Sequence, residues 1–166
     1  MRVPQLTDAQ PWERACAEGW EGVIAKRRDS KYEHRRSPHW LKMKCEASQE
    51  LVVGGFTDPQ GSRVGYGALL VGYYDGDDFV FAGKVGTSQG RKELFAMRAR
   101  LDKLEIKRSP FTRAKGLPRL RAHWVRPEIV VQVSFIEWTK YDKLRHSRLI
   151  AIRTDKKPRE CVRETP

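Results

Sequence analysis

The sequence has no long hydrophobic run and few cysteines. No window approaches the ~18 consecutive apolar residues of a membrane span, and the N-terminal segment has no apolar core of signal-peptide length. Cys16, Cys45 and Cys161 are an odd number without C-x-x-C spacing, and no histidine lies at ligand spacing from them. These absences argue against a membrane protein, a disulfide framework and a structural zinc site. We therefore expect a cytoplasmic protein in a reducing compartment.

Acidic residues are scarce relative to basic ones. The 166 residues include 33 Lys and Arg against 21 Asp and Glu, a net charge of +12. The net charge is +4 over residues 1–45, −2 over residues 46–106 and +10 over residues 107–166. Such an excess indicates a polyanionic partner, with nucleic acid as the first candidate. The neutral middle is typical of a scaffold, and the flanks are typical of surfaces that meet phosphate.

The first 45 residues predict a short helix and two strands. Asp8 is placed to cap the helix and Gly19 to end it. The strands are expected at residues 23–25 and 40–45, on either side of a charged loop over residues 27–38. A domain boundary between residues 46 and 47 follows, because the pattern then becomes almost entirely β.

Residues 47–166 predict a small barrel. Apolar residues at helical spacing indicate a helix over residues 91–104, and a Pro-, Gly- and base-rich stretch over residues 107–121 resembles a surface linker. Several short strands with one helix are typical of a Greek-key barrel of the OB type. The fold class is thus mainly β with α. The predicted strands cover residues 51–58, 65–75, 78–87, 121–125, 128–139 and 148–153.

The stretch WLKMK places two lysines on one face of a strand. Side chains alternate along a strand, so Lys42 and Lys44 point the same way, about 7 Å apart. If Leu41 and Met43 face a core, the lysines line a cleft where a phosphate would relieve their repulsion. A solvated strand face with incidental lysines is the alternative.

Two further segments carry candidate chemistry. In EGVIAK, Gly22 permits close backbone approach, and Glu21 is a carboxylate suited to a divalent cation. In RHSRLIAIRTDKKPRE, cations surround one apolar strand and offer guanidinium groups that bind phosphate oxygens in pairs. An ordinary strand edge and a plain basic tail are the respective alternatives. The cations are Arg145, Arg148, Arg153, Lys156 and Lys157.

Taken together, EGVIAKR, WLKMK and RHSRLIAIRTDK in this order resemble the closing half of an ATP-dependent DNA ligase. The resemblance is strongest to the ligase domain of bacterial non-homologous end-joining ligases and covers roughly residues 12–165. It implies that residues 1–46 are the remnant of an α+β nucleotidyltransferase (adenylation) domain. It also implies that residues 47–166 form the OB-fold domain of the ligase.

The resemblance implies roles for individual residues. Glu21 matches the motif IV glutamate that helps bind Mg²⁺ or Mn²⁺, and Lys42 and Lys44 match the motif V lysines that hold the α-phosphate of ATP. Arg153, Asp155 and Lys156 match the R-x-D-K of motif VI, which orients the departing pyrophosphate. Nucleotide binding is also expected of Lys26, Arg145 and Arg148, which lie within the matching segments. Nicked or broken double-stranded DNA, in the bacterial nucleoid, is the expected substrate.

The covalent nucleophile of this family is a lysine in a K-x-D-G motif, and no lysine of this sequence is followed by x-Asp-Gly. We therefore expect a fragment, a split gene product or a deliberately truncated chain that cannot adenylate itself and needs an N-terminal adenylation chain. The segment RHSRL also departs from the usual RHPxF of motif VI. Two alternatives stay open: a non-catalytic OB-type DNA-binding module, and a related RNA ligase or capping enzyme.

Overall fold

The chain divides between Glu46 and Ala47 into two compact units. The first contains helix α1 and an antiparallel pair of strands, β1 and β2. The elements are α1 (Pro11–Ala17), β1 (Gly22–Lys26) and β2 (Trp40–Lys44). The structure, a computed structural model, describes residues 11–20, 22–35, 37–117 and 121–164.

Glycines permit the turns of the first unit. Gly19, at φ 78°, follows α1 in the left-handed conformation that glycine favours. A Cβ on Gly22 would lie 2.3 Å from the carbonyl oxygen of Met43, so the predicted close backbone approach is confirmed. The expected cap Asp8 lies outside the described residues.

The expectation of unpaired cysteines in the first unit was wrong. Cys16 and Cys45 form a disulfide, with their Cα atoms 5.3 Å apart. These cysteines are 29 positions apart in the chain, so their approach depends on how α1 packs beside the strand pair and not on any local spacing. Cys161 is a buried free thiol.

The second unit is built on a five-stranded barrel. Its strands pair in the order β3, β4, β5, β11, β8, and β8 returns to β3 to close the barrel. Only the β5–β11 pair in this ring is parallel. Helix α2 lies between the third and fourth barrel strands in sequence. This order with this helix is the OB-fold, as predicted. The barrel elements are β3 (Ala47–Thr57), β4 (Ala68–Asp75), β5 (Asp78–Gly86), α2 (Arg91–Lys103), β8 (Val130–Phe135) and β11 (Arg148–Arg153).

Short strands extend the barrel. β6 and β7 continue the sheet beyond β3, and β9 pairs with β10 in a separate ribbon. The single strand predicted over residues 128–139 is therefore two strands, β8 and β9, interrupted at Ile136. The short strands are β6 (Glu105–Ile106), β7 (Ala122–Val125), β9 (Glu137–Trp138) and β10 (Leu144–Arg145).

The barrel strands bury apolar side chains on both faces. Along β4, Leu69, Val71 and Tyr73 join the main core, which Met97 and Leu101 of α2 also enter. The alternate residues of β4 face a second cluster. Among the described residues, no helix has the length and apolarity needed to cross a membrane.

The second cluster shows that residues 107–121 are not merely a surface linker. Phe111 is 6% exposed, and its ring stacks on Phe79 with centroids 4.5 Å apart. The backbone N–H groups of Thr112 and Arg113 also donate to the carbonyl oxygen of Phe79. Gly54 makes room for this ring, because a Cβ there would lie 2.5 Å from Cζ of Phe111. The Pro- and Gly-rich composition of this stretch did not indicate that Phe111 anchors it to the barrel.

Candidate nucleotide-binding site

The β1–β2 pair brings three predicted lysines onto one face. Lys42 lies opposite Ile24 and Lys44 lies opposite Gly22 in the register of the two strands. Lys26 lies opposite Trp40, and directly opposed residues of an antiparallel pair share a face. Lys26, Lys42 and Lys44, which we call the lysine face, therefore lie on the same side of the strand pair.

Aromatic rings hold the ammonium group of Lys26. Its Nζ lies 4.3 Å from the ring centroid of Trp40 and 5.3 Å from that of Tyr32. Cation–π contacts of this kind restrict a flexible lysine. Lys26 is thus oriented at one end of the face, while the indole Nε1 of Trp12 donates to the backbone carbonyl of Lys44 at the other end.

The opposite face of this strand pair carries apolar residues. Leu41 is 64% exposed and Met43 is 40% exposed. Within the part of the chain that the structure describes, Leu41 and Met43 therefore do not pack into a core. Glu21, the expected metal ligand, lies outside the described residues. In the described ranges, no group of three or more His, Cys, Asp or Glu side chains is arranged to hold a metal ion.

The second candidate cluster lies where β11 ends. Arg153 donates to both carboxylate oxygens of Asp155, from Nε at 2.8 Å and from Nη2 at 2.7 Å. Nη1 of Arg153 also donates to Oε1 of Glu50 at 3.0 Å. Nζ of Lys156 donates to the other oxygen of Glu50, also at 3.0 Å. We call these four residues, Glu50, Arg153, Asp155 and Lys156, the β11 cluster.

Hydrogen bonds and charge keep every member of the β11 cluster ionised. The bond from Arg153 lowers the pKa of Asp155 to about 2. The bond from Lys156 lowers the pKa of Glu50 against the opposing effect of burial, and the same bond raises the pKa of Lys156. Two cations and two carboxylates balance, so the cluster is neutral as it stands. An arriving phosphate has to replace a carboxylate to bind either cation.

The remaining predicted cations are not part of this cluster. Arg148 and Arg153 occupy the two ends of β11, about 17 Å apart along the strand. Arg145 lies on β10, where its Nη1 donates to Oε1 of Glu137 at 2.6 Å. The C-terminal cations therefore flank β11 at both of its ends. Arg153 and Lys156 lie at one end, and Arg145 and Arg148 precede or begin the strand.

Sequence reasoning missed Glu50 and Gln132. Glu50 is opposite Gln132 in the β3–β8 register, and Oε1 of Gln132 accepts from Nη1 of Arg153 at 3.4 Å. The sequence signal for Glu50 was its position as a single carboxylate directly before the apolar run LVVGGF. Its partners were hidden because they lie 103 and 106 positions later in the chain.

Comparison with known proteins shows which family the chain resembles. The family model of the ATP-dependent DNA ligase C-terminal region matches residues 62–156. The chain is 40% identical over 156 residues to the multifunctional non-homologous end joining protein LigD of Pseudomonas aeruginosa, covering 92% of this chain and 19% of that protein. It is 40% identical over 175 residues to the non-homologous end joining DNA repair protein LigD of Mycobacterium tuberculosis, covering 99% and 22% respectively.

A solved structure is similar in both fold and sequence. A mycobacterial DNA ligase D complexed with ATP and MES aligns with a TM-score of 0.65 and 40% identity, over 94% of this chain and 51% of that one. The chain thus spans about a fifth of the length of these curated relatives and about half of the solved chain. By sequence, by family model and by fold, this chain belongs to the ATP-dependent DNA ligases, whose C-terminal region it carries.

Proposed function

We propose that this chain supplies the phosphate-binding C-terminal part of a ligase that joins DNA strands in bacterial non-homologous end joining. The reaction proceeds through an enzyme-adenylate and a DNA-adenylate. The observation that carries the proposal is the β11 cluster, in which Arg153 and Lys156 of the R-x-D-K segment share the two oxygens of Glu50. Such paired cations at one strand end suit an anion with several oxygens.

In this proposal, the lysine face contacts the α-phosphate of ATP. Attack at that phosphorus concentrates negative charge on its oxygens, and preplaced ammonium groups stabilise the transition state. Lys42 and Lys44 carry this role, and Lys26 contributes to nucleotide binding from its position over Trp40. Arg145 and Arg148 are assigned to nucleotide binding on the resemblance alone.

The β11 cluster orients the pyrophosphate as it leaves. Asp155 and Glu50 hold Arg153 and Lys156 in place until phosphate oxygens take over these hydrogen bonds. Because the lysine face and this cluster belong to different compact units, domain closure can use the cluster for one chemical step and withdraw it for the next.

A divalent metal, Mg²⁺ or Mn²⁺, is assigned to Glu21 on the resemblance alone. When bound, it supplies charge neutralisation at the phosphates. Glu21 itself lies outside the described residues.

We further propose three properties of the whole system. The substrate is nicked or broken double-stranded DNA, and the protein acts in the bacterial cytoplasm on the nucleoid. The nucleophilic lysine comes from an N-terminal adenylation chain with a K-x-D-G motif, because this sequence contains none.

Reconstitution tests this function. The 166-residue chain is mixed with a separate polypeptide carrying the K-x-D-G segment, and sealing of nicked DNA is measured with ATP and Mg²⁺. We expect sealing only in the mixture, with a loss of about 100-fold on Lys42→Ala. Lys31→Ala, at an exposed lysine in the loop before β2, is the control and leaves sealing unchanged. Acid-stable label on this chain alone, after incubation with labelled ATP, contradicts the proposal.

A further inference from the structure

Gln49 is a buried polar residue beside the β11 cluster. It lies on β3, is 2% exposed, and directly precedes Glu50 in the chain. Successive side chains of a strand point to opposite faces, so Glu50 meets the cations of the β11 cluster on one face of β3 and Gln49 points to the other. A buried amide needs hydrogen-bond partners, because unsatisfied donors and acceptors cost free energy.

The partners of Gln49 lie near the end of the chain. Its Nε2 donates to the backbone carbonyl oxygen of Val162 at 3.2 Å, and its Oε1 accepts from the backbone N–H of Glu164 at 3.3 Å. One carboxamide thus supplies both the donor and the acceptor that a neighbouring strand would supply. The two bonds join positions that are 113 and 115 residues apart in sequence.

Residues 161–164, which we call the C-terminal strap, are also held by β4. The backbone N–H of Tyr74 donates to the carbonyl oxygen of Cys161 at 2.8 Å, and Tyr74 pairs with Val162 in a parallel β-bridge. Cys161 is 1% exposed and packs into the second apolar cluster of the barrel. The strap therefore lies against both β3 and β4, and Gln49 connects it to β3.

Lys156 lies between two fixed points of the backbone. On one side β11 ends three residues earlier, and on the other a single 3₁₀ turn, Pro158–Glu160, leads into the C-terminal strap. The backbone N–H of Lys157 donates to Oε2 of Glu160 at 3.0 Å, which ties this turn to the residue after Lys156. Ordering a long lysine side chain costs conformational entropy, so the contact of its Nζ with Glu50 depends on how firmly this backbone is held.

We propose that Gln49 is a positioning residue for the departure of pyrophosphate: by fixing the C-terminal strap to β3, it keeps Lys156 at Glu50 until phosphate oxygens arrive. This inference rests on the proposed function, because it adds a residue to the same chemical step. Gln49 is buried on the face of β3 away from the β11 cluster, so it acts through Lys156 and not by contact with phosphate.

The first test follows the reactivity of Lys156 in the 166-residue chain without nucleotide. Gln49→Leu removes both hydrogen bonds, and the backbone groups that it frees belong to exposed residues, Val162 and Glu164, that water can reach. Acetylation rates of individual lysines are measured by mass spectrometry at one mildly alkaline pH. Because the bond to Glu50 raises the pKa of Lys156, we expect Lys156 to react at least ~3-fold faster in the variant.

Further variants keep this test decisive if Gln49→Leu does not fold. Glu164→Pro removes only the N–H that donates to Gln49, and Glu164→Gln, which retains that N–H, controls for the lost charge. Met97→Ala controls for lower stability, since Met97 lies in the main core on α2. Thermal unfolding checks that each variant is folded. We expect faster acetylation of Lys156 in Glu164→Pro than in Glu164→Gln, and no change in Met97→Ala; equal rates in all of these proteins overturn the inference.

The second test uses the reconstituted mixture and a cycle of variants. Gln49→Leu should slow adenylation by ATP about 10-fold, less than Lys156→Ala, because the cation is displaced and not removed. The double variant should be no slower than Lys156→Ala alone, since Gln49 then has nothing to position. Sealing of nicked DNA that already carries the adenylate should change less than ~3-fold. Additive losses from the two single variants, or equal slowing of sealing, would contradict the role of Gln49.

The two tests distinguish this inference from the proposed function. If the mixture forms no adenylate at all, the proposed function fails, and the acetylation of Lys156 alone decides whether Gln49 positions it. If adenylation proceeds but neither its rate nor the acetylation of Lys156 responds to Gln49→Leu, the role of Gln49 is wrong and the proposed function stands.

Discussion

Glu50 lies between Arg153 and Lys156, accepting a 3.0 Å hydrogen bond from each on separate carboxylate oxygens. Its side chain is 16% exposed, so the pair of bonds is shielded from much of the solvent. A carboxylate of the first barrel strand thereby fixes two cations of the last barrel strand and the segment after it.

We predict that Glu50→Gln destabilises the protein by about 1–2 kcal/mol, because two charge-assisted bonds are weakened and two cations lose a counter-ion. Urea unfolding measures this loss. Glu137→Gln is the matched control: its partner Arg145 is 58% exposed, and an exposed pair contributes less than about 1 kcal/mol. Equal stability of the two variants would mean that Glu50 does not hold the cluster.

The burial of Phe111 leads to a second prediction about stability. Phe111→Ala empties a site that Phe79 and Trp124 line, and the expected cost is about 3–5 kcal/mol. Phe95→Ala on α2 is the control, since Phe95 is 51% exposed, and we expect a cost below about 1 kcal/mol. If Phe111→Ala is as stable as Phe95→Ala in urea, residues 107–117 do not pack on the barrel as described.

His123 makes stability depend on pH. Its Nδ1 lies 3.0 Å from Glu105 and its Nε2 lies 2.9 Å from Asp58, and these bonds raise its pKa. Phe56 stacks on the imidazole, and Arg98 lies over the same phenyl ring. Since the folded pKa is raised, the stabilisation is fully present below about pH 6.5 and is lost as pH rises through the folded value.

The variant His123→Gln should therefore lower the melting temperature more at pH 5.5 than at pH 9. Scanning calorimetry at both values measures the difference. A melting-temperature loss for His123→Gln that is the same at both values would contradict the assignment.

The disulfide between Cys16 and Cys45 predicts how many cysteine thiols react with an alkylating reagent. Denatured, unreduced protein should expose one reactive thiol, that of Cys161, and reduced protein should expose three. Cross-linking across 29 positions stabilises the first unit by about 3–4 kcal/mol on the chain-entropy model. Mass spectrometry after alkylation gives the count. Three reactive thiols before reduction would show that Cys16 and Cys45 are not paired.

Local patterns were sufficient for much of the barrel. Strand β11 was predicted with its observed bounds, and α2 was predicted to within one residue, because alternation and helical spacing are properties of short windows. The shared face of Lys42 and Lys44 followed from the same alternation, whereas the place of Lys26 on that face depends on the β1–β2 register. The β11 cluster was predicted only in part, since R-x-D-K is contiguous whereas Glu50 is distant in the chain.

The failures share a physical cause. The pairing of Cys16 with Cys45, the docking of Phe111 and the role of Glu50 all depend on contacts between residues far apart in the sequence. No local propensity encodes such contacts. Arg145 and Arg148 are close to Arg153 in sequence, but an extended strand places such side chains far apart in space, and their nucleotide-binding roles stay predictions.

The most direct test of the role of the β11 cluster compares the rate of the first chemical step with that of the last. In the reconstituted mixture, Lys156→Ala should slow adenylation by ATP about 100-fold. Sealing of nicked DNA that already carries the adenylate should change less than about 3-fold, because no pyrophosphate leaves in that step. Equal slowing of both steps, or of neither, would contradict the assignment of the β11 cluster to the departing pyrophosphate.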